Sequence, residues 1–305
     1  MHILSPDDVL KRGFQHFQGL PNNYNGGYTK KAVLLFKKFY GSSPAVIANI
    51  WYDMQAKINV VPSQMKNEKG FKYVLIATHF LWAYPKNAEI LARLFGVCVR
   101  KVHGKDFWIW LKRIAELGKI KFVWRHDVYN DPNSQIIIVS VDGKDCSTRE
   151  TQHPTLPIDK GVYSHKYNHA ALKYEIAIDA VESKVVRISG PWRGGESDKN
   201  IFIKGGLSAL IPVGKKASTD RVYVDANDKE HNAKLSYPNP SDDIETAKLK
   251  SRIRCRHETF NGRMAKFGSI SQMFCHPNKN HEYVFKSVAV VVQYQMDLGA
   301  PLFDA

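Results

Sequence analysis

The stretch that decides the fold reads QIIIVSVDG, from Gln135 to Gly143. Most of its residues are apolar and β-branched, and such residues favour a strand that is buried on both faces of a sheet. The stretch ends in Asp142 and Gly143, and the carboxyl end of a buried strand is where α/β proteins place charged groups that do chemistry. An Asp-Gly pair is also a common turn, so the local sequence leaves both interpretations of Asp142 open.

Strands and helices alternate on the carboxyl side of this stretch. We predict strands at 174–180, 184–190 and 221–224, helical structure within 196–210, a long helix at about 243–267 and a last helix at about 282–298. The polar, proline-containing residues 226–242 are predicted to form a loop. This order of elements predicts an α/β domain with a mixed sheet flanked by helices.

The residues before the strand predict an all-α region. Apolar residues recur there at helical spacing, which predicts short helices at 29–40, 44–56, 71–84, 89–95 and 100–117. We therefore divide the chain into three parts. These are a helical N-terminal region at 1–70, a helix-turn-helix-like DNA-binding region at 71–125 and the α/β domain at 130–305.

Residues 88–105 have the spacing of a helix-turn-helix motif. Ala92 lies four residues before Gly96 and Val102 lies six residues after it. In that motif a small residue, a glycine turn and a later apolar residue let the two helices pack. The second helix would present four basic side chains at the end that enters a DNA groove, namely Arg100, Lys101, His103 and Lys105. A purely structural helical hairpin has similar spacing, so that alternative stays open.

The positive charge is concentrated in the helical region. The net charge is +15, and residues 1–125 carry 20 Lys and Arg against 7 Asp and Glu, whereas residues 126–305 carry 24 against 22. A basic N-terminal part favours a polyanion such as DNA as partner, although a merely basic soluble surface has the same composition. No apolar run is long enough to span a bilayer and no secretory signal begins the sequence, so no membrane association is expected.

Two further acids extend the case for chemistry at Asp142. Asp220 precedes a predicted strand and Glu258 lies on the long helix. Each alone is explained by a turn, a helix cap or a solvated ion pair. Three carboxylates that a fold brings together can hold Mg²⁺ or Mn²⁺, and two such ions can activate a water or a 3′-hydroxyl for attack on a phosphodiester. Arg256 and Arg263, on the same helix, are predicted to bind DNA phosphates.

Five short motifs resemble, in order, those of the DDE-superfamily transposases of the Harbinger type. They are Val139–Gly143, Tyr163–Lys166 with Lys173–Glu175, Gly190–Asp198 with Ile201-Phe202, Thr219–Tyr223, and Arg256–Arg263. The closing residues, Gly299–Asp304, also have the character of such chains. The resemblance covers residues 130–305 and matches the helix-turn-helix region more loosely.

The resemblance implies a ribonuclease-H-like fold and a nuclease that cuts and joins transposon-end DNA. It implies that Asp142, Asp220 and Glu258 are the catalytic residues and hold Mg²⁺ or Mn²⁺, and that Asp198 has a supporting role. A DNA substrate of this kind implies a nuclear location. The resemblance leaves open a separate DNA-binding partner protein and a homo-oligomer.

One departure from the family pattern supports an alternative function. Val222 stands where the family usually has glycine, and a β-branched residue tolerates fewer backbone conformations than glycine. The alternative is a catalytically degenerate, domesticated DNA-binding protein of transposon origin. An unrelated α/β hydrolase is disfavoured because the chain has neither a G-x-S-x-G nor an H-E-x-x-H motif.

Overall fold

The computed structural model of the protein describes residues 2–17, 27–102, 104–150, 160–182 and 184–302. They form two compact units. The helical unit comprises residues 1–120 with 264–300, and the sheet unit comprises residues 121–263 with 301–305. The sequence placed residues 264–300 with the α/β domain, whereas the structure groups them with the N-terminal helices.

The sheet unit is built on six strands. They are β1 (Ile137–Ser147), β2 (Tyr163–Ser164), β3 (His169–Asp179), β4 (Val185–Arg193), β5 (Lys216–Ser218) and β6 (Leu235–Ser236). Their order is β2-β3-β1-β5-β6, with β4 also paired to β3. The pairs of β3 with β1, β2 and β4 are antiparallel, and the pairs of β5 with β1 and β6 are parallel. The predicted mixed sheet is confirmed.

Helices flank this sheet. They are α8 (His126–Tyr129), α9 (Asp198–Lys204), α10 (Leu207–Leu210), α11 (Lys229–Asn232) and the long α12 (Ile244–Ala265). One face of the sheet packs a core of apolar side chains that includes Val139, Val141, Phe202 and Leu207. The other face contacts α12, where Ile253 is buried beside Ile137 of β1. Asp142, on β1, therefore lies on a strand that is covered on both sides.

Three predicted elements of this unit differ from the structure. The loop predicted at 226–242 contains the short helix α11 (Lys229–Asn232) and the strand β6 (Leu235–Ser236), which pairs with β5. β1 does not end at Asp142 but continues to Ser147, because β3 pairs with it along that whole length. The predicted strand at 221–224 is wrong: Arg221–Tyr223 is a 3₁₀ turn, and the strand lies earlier, at Lys216–Ser218. A three-residue strand has too little pattern to read locally, since its pairing with β1 defines it.

The helical unit contains α1 (Pro6–His16), α2 (Lys30–Tyr40), α3 (Pro44–Ala56), α4 (Glu68–Ala83), α5 (Ala88–Phe95), α6 (Lys105–Glu116), α13 (Gly268–Ser271) and α14 (His281–Asp297), with the short α7 (Gly118–Lys121) at its boundary. Helix starts follow the expected capping chemistry: the side chains of Thr29, Ser43 and Asn87 accept hydrogen bonds from backbone N–H groups of the next turn. No helix in the described ranges is long and apolar enough to cross a membrane.

Helix α14 explains why residues 264–300 group with the first 120. It is buried along nearly its whole length. Tyr294 Oη donates a hydrogen bond to Asp53 Oδ2 of α3 at 2.6 Å, and Ser287 Oγ donates to the Leu111 carbonyl of α6 at 2.9 Å. Buried polar groups require such partners, so these contacts fix α14 within the helical core.

Candidate active site

Strand β1 carries Asp142 in its middle rather than at its end. Its antiparallel partner β3 places Ile176 opposite Asp142 and Glu175 opposite Gly143. Because side chains alternate between the faces of a sheet, Asp142 and the position of Gly143 face opposite ways. The alternative interpretation of these two residues as a turn is wrong. Strand pairing, on both sides of β1, therefore sets the direction of the Asp142 carboxylate.

The parallel neighbour β5 brings the second acid next to the first. Ser140 of β1 pairs with Ser218 of β5. Asp142 and Asp220 each lie two residues further along, and a two-residue step returns a strand's side chain to the same face. Both aspartates line one small pocket. The register between β1 and the short parallel strand β5 thus places the carboxylates of Asp142 and Asp220 close to each other.

Helix α12 contributes the third acid to the same pocket. His257 is buried, and its Nδ1 lies 2.9 Å from Ser140 Oγ, which docks α12 against this face of the sheet. Burial lowers the pKa of His257 to about 3, so the ring is neutral. The next residue, Glu258, is exposed at the rim.

The pocket between these elements has a volume of about 20 Å³. That is room for about one water-sized sphere. It is lined by Ser140, Val141, Asp142, Ser218, Thr219, Asp220, Arg254, His257 and Glu258. The structure therefore brings together Asp142, Asp220 and Glu258, the three acids singled out from the sequence.

Asp142 is oriented through both of its carboxylate oxygens. Oδ1 accepts from the Gly143 backbone N–H at 2.8 Å, and Oδ2 accepts from Asn261 Nδ2 at 2.9 Å. Burial, together with the smaller effect of the charges of Glu258 and Asp220, raises the pKa of Asp142 to about 7, while the Gly143 N–H opposes the shift. At neutral pH this site carries negative charge that its own surroundings do not stabilise.

Asp220 is held differently, by a cation. Arg254 Nη2 lies 2.7 Å from Asp220 Oδ1, and both side chains are 43% exposed. In the described part of the chain, no group of three His, Cys, Asp or Glu side chains is close enough together to hold a metal ion. The arginine side chain thus neutralises one of the three acids in this conformation.

The donor set nevertheless fits a hard divalent cation. Carboxylate oxygens are the ligands that Mg²⁺ and Mn²⁺ prefer, and such ions keep several waters, so they need few protein ligands. Two polar atoms near the acids, Ser218 Oγ and Asn261 Oδ1, are buried and have no protein hydrogen-bond partner. Unpaired buried acceptors and surplus negative charge are both relieved by a hydrated cation.

Asp198 lies on the opposite side of β1, where Gly143 leaves space for it. A Cβ at Gly143 would lie 2.7 Å from Asp198 Oδ1, a distance that real contacts do not show. Asp198 Oδ1 is also 3.2 Å from the buried Lys173 Nζ, and its charge contributes to the raised pKa of Asp142. This position fits the supporting role expected for Asp198, and that role stays a prediction.

Two residues of this region were not identified as site residues from the sequence. Glu175 is buried with no partner for either carboxylate oxygen, and burial raises its pKa to about 8. Its signal was a charged residue within the otherwise apolar run Tyr174–Ile178 of β3. Asn261 holds Asp142, and its signal was its position three residues after Glu258, because residues three apart lie on one side of a helix.

The helix-turn-helix region has the predicted turn but a shorter second helix. Gly96 caps α5 in the left-handed conformation, and Ala92 and Val102 are buried as the motif requires. Arg100 and Lys101 are exposed, but they lie in a 3₁₀ turn, Val99–Lys101, that precedes α6.

The remaining candidates of this region lie at the start of α6. Lys105 is the first residue of that helix, and its side chain is outside the description. His103 lies outside the described residues. The second helix therefore begins at Lys105, about five residues after the start that the sequence predicted. The role of these four residues in DNA binding stays a prediction.

Of the two arginines of α12 that were predicted to bind DNA, Arg256 has a different role, and the role of Arg263 stays a prediction. Arg256 is 1% exposed and Nη1 donates to the Ala180 carbonyl, so its assignment as a DNA-binding residue is wrong: the guanidinium is a structural tie between α12 and the end of β3. Arg263 is half-buried, and Nη2 donates to the Pro301 carbonyl at 3.0 Å. Burial of a charged side chain depends on distant partners, which the spacing of residues along one helix does not reveal.

Residues 144–293 match the family model described as DDE superfamily endonuclease. This region is a DDE-superfamily endonuclease domain. The match includes Asp198, Asp220 and Glu258, and it begins two residues after Asp142. The sheet described above, with its flanking helices, is the ribonuclease-H-like fold expected for a DDE domain. Neither the curated proteins nor the solved structures gave a match to the chain.

The departure at Val222 does not strain the DDE domain. Val222 lies in the 3₁₀ turn Arg221–Tyr223, and its backbone is not in the left-handed region that favours glycine. Its side chain is 69% exposed. A β-branched residue therefore fits this position without displacing the neighbouring Asp220.

Proposed function

We propose that this protein is a transposon-derived, metal-dependent endonuclease and strand transferase that acts on DNA through Asp142, Asp220 and Glu258. The observation that carries the proposal is the convergence of these three acids. Asp142 lies on β1, Asp220 follows the adjacent parallel strand β5, and Glu258 lies on the helix docked on them; all three line one pocket. Membership of residues 144–293 in the DDE endonuclease superfamily supports a nuclease reaction.

Each acid has a distinct task in this proposal. A bound Mg²⁺ or Mn²⁺ would supply activation of the attacking oxygen and stabilisation of the leaving oxygen. Asp142 supplies the most rigid ligand, because Gly143 N–H and Asn261 Nδ2 fix its two oxygens. Asp220 becomes a ligand when Arg254 releases it, and the exposed Glu258 reaches the site from the rim.

The helical unit supplies DNA affinity in this proposal. The first 125 residues hold most of the excess positive charge, and Arg100 and Lys101 are exposed at the turn before α6. Binding through phosphates predicts an affinity that falls steeply with salt concentration. Action on chromosomal DNA would place the protein in the nucleus, and a separate DNA-binding protein and self-association are compatible with the proposal.

The alternative is a DNA-binding protein that has lost catalysis. The ion pair between Arg254 and Asp220 favours it, because it occupies one of the three acids. So does the finding that, among the described residues, no group of three His, Cys, Asp or Glu is arranged to hold a metal ion. In this case the positive helical unit keeps its affinity for DNA, and the acids bind no metal.

Calorimetric titration with Mn²⁺ distinguishes the two functions without knowledge of the DNA target. The wild-type protein is compared with Asp142→Asn and Glu258→Gln, with and without an arbitrary DNA duplex. Asp228→Asn is the matched control, because Asp228 is an acid of the same domain that forms an ion pair with Lys199. The nuclease proposal expects binding that both site variants weaken and the control does not. Absence of Mn²⁺ binding by the folded wild type, with DNA present, would establish the alternative.

A further inference from the structure

A groove of about 550 Å³ runs beside α12 in the sheet unit. Its lining residues are Arg221, Pro238, Asn239, Pro240, Asp242, Ala247, Lys250, Ser251, Arg254, Cys255 and Glu258. Arg254 and Glu258 also line the pocket of the three acids, so the groove lies next to that pocket. A molecule in the groove therefore lies next to whatever group occupies the acid pocket.

The far wall of the groove is the segment 237–242, which α12 holds in place. Lys250 Nζ donates to the Tyr237 carbonyl at 3.0 Å and pairs with Asp242 Oδ1 at 2.7 Å. Both partners of this ion pair are largely buried, with side chains 10% and 13% exposed. Arg221 Nε donates to the Pro238 carbonyl at 3.2 Å from the other end. These contacts make the groove a built cleft rather than a gap beside a loose loop.

The groove combines apolar walls with guanidinium groups. Pro238, Pro240 and Ala247 present apolar surface. Arg221 donates to a backbone carbonyl and makes no ion pair among the residues that the structure describes. Arg254 shares its charge with the half-exposed Asp220. Guanidinium groups bind phosphate oxygens through bidentate hydrogen bonds, and aromatic rings pack on apolar surface. The groove therefore fits a ligand that carries both a phosphate and an aromatic ring.

We propose that this groove binds a nucleotide of the DNA strand that lies next to the phosphodiester at the acids. Its phosphate contacts Arg221 and Arg254, and its base packs against Pro238 and Pro240. The volume suits one nucleotide, since pockets for small organic molecules span about 300–1,000 Å³. This inference rests on the proposed nuclease function and assigns a subsite that the three acids do not define.

Cys255 gives a direct test, because it is exposed and lines the groove. The probe is a short single-stranded oligonucleotide with a disulfide-activated thiol tethered to one central base. The protein carries Cys98→Ser and Cys275→Ser, and the buried Cys146 is retained. Exchange of the Cys255 thiolate with the tether forms a protein–DNA disulfide and releases the small thiol. No metal and no cleavage are needed.

We expect Cys255 to cross-link at least about tenfold faster to the tethered oligonucleotide than to the same small disulfide without DNA, because binding raises the local concentration. Arg221→Gln should slow the cross-linking reaction. It should also reduce the slope of log affinity against log salt concentration by about one, as expected for the loss of one phosphate contact. Lys248→Gln is the matched control: it removes the same charge from α12 outside the groove, and both quantities should stay unchanged.

Three results would overturn the inference, and only the last would also overturn the proposed function. If the protein binds the oligonucleotide but Cys255 reacts no faster than with the free disulfide, the groove does not hold the strand, and the nuclease proposal still stands on its Mn²⁺ titration. Equal effects of Arg221→Gln and Lys248→Gln on the salt slope would lead to the same conclusion. If the protein binds no DNA at low salt, both this inference and the proposed function are wrong.

Discussion

The sheet unit contains two clusters of acids that are built in opposite ways. In the first, Lys199 Nζ lies 2.7 Å from Asp225 and 2.8 Å from Asp228, and His231 also contacts Asp228. The hydrogen bond from Lys199 lowers the pKa of both aspartates. In the second cluster, burial raises the pKa of Asp142 to about 7. The same residue type is thus stabilised as an anion in one place and destabilised in the other.

The difference separates structural acids from functional ones. The Lys199 cluster is complete, because each acid has a cation within the protein. The three acids of the pocket share one, Arg254, which pairs with Asp220. A group whose pKa is shifted by burial and by like charges in a cleft is a candidate for chemistry. A bound ligand can supply the further positive charge that the protein itself does not place beside these carboxylates. Four sets of variants test this comparison.

The largest effect is expected for loss of the pocket acids. Asp142→Asn and Glu258→Gln should each lower metal-dependent nicking of supercoiled DNA by roughly a thousandfold or more, as for removal of a catalytic group. Asp228→Asn should retain nicking, because Asp228 belongs to the complete cluster. Comparable loss in all three variants, with native circular dichroism spectra, would show that the two clusters do not differ in function.

A smaller effect is expected for the residue that orients Asp142. Asn261→Ala removes the 2.9 Å hydrogen bond to Asp142 Oδ2 and should weaken Mn²⁺ binding about 10–100-fold, as is typical when a partner of a metal ligand is lost. Asn232→Ala is the control, since Asn232 donates to the Asp225 backbone carbonyl in the other cluster. Titration calorimetry measures both, and unchanged affinity in Asn261→Ala would contradict the positioning role.

The two clusters should respond to pH with opposite signs. The folded-state pKa of Asp142, about 7, is above its ordinary 3.8, so the metal-free folded protein loses stability as the pH rises between these values. Asp142→Asn should therefore raise the Tm at pH 8 by a few degrees, where about 1 kcal/mol shifts it by roughly 2–4 °C, and the gain should vanish near pH 4.

Asp228 has a lowered pKa, so its stabilising effect is present above pH 3.8 and is lost as the pH falls through the folded-state pKa. Asp228→Asn should accordingly lower the Tm at pH 8. Thermal unfolding in chelator, at several pH values, measures both variants. Shifts of the same sign at pH 8 would mean that the buried acid of β1 is stabilised after all.

The smallest effect concerns the glycine beneath the pocket. Gly143→Ala forces a Cβ to within 2.7 Å of Asp198 Oδ1 and should cost about 1–3 kcal/mol of stability, as overpacking does. Gly262→Ala meets nothing within 4 Å on α12 and should stabilise the helix by up to about 1 kcal/mol. Denaturant unfolding compares the two, and a neutral Gly143→Ala would show that Asp198 moves freely.

Local sequence predicts much of this fold where local chemistry decides it. The β-branched run before Asp142 predicts β1, and the caps Ser43 and Asn87 and the turn at Gly96 set helix ends, because these effects act within a few residues. Strand β5 was missed since three residues acquire their structure from pairing with β1. The sequence predicted the strand at 221–224, after Asp220, whereas β5 lies before Asp220, at Lys216–Ser218.

The acids themselves were identified by resemblance, whereas their environment was beyond local reasoning. Nothing near Arg256 in the sequence shows that the Ala180 carbonyl will bury it. The hydrogen bond from Asn261 to Asp142 joins positions 119 residues apart. Contacts of this kind depend on the docking of α12 on the sheet, and they become visible only when the register of β1 and the helix is known.

The chain order of the two units has a consequence for synthesis on the ribosome. The sheet unit is nearly continuous, from residue 121 to 263, and it is inserted into the helical unit, which resumes at 264. A nascent chain can therefore complete the sheet before α14 emerges. Until then Asp53 lacks Tyr294 and the Leu111 carbonyl lacks Ser287, so the helical unit, although synthesised first, is the last to close.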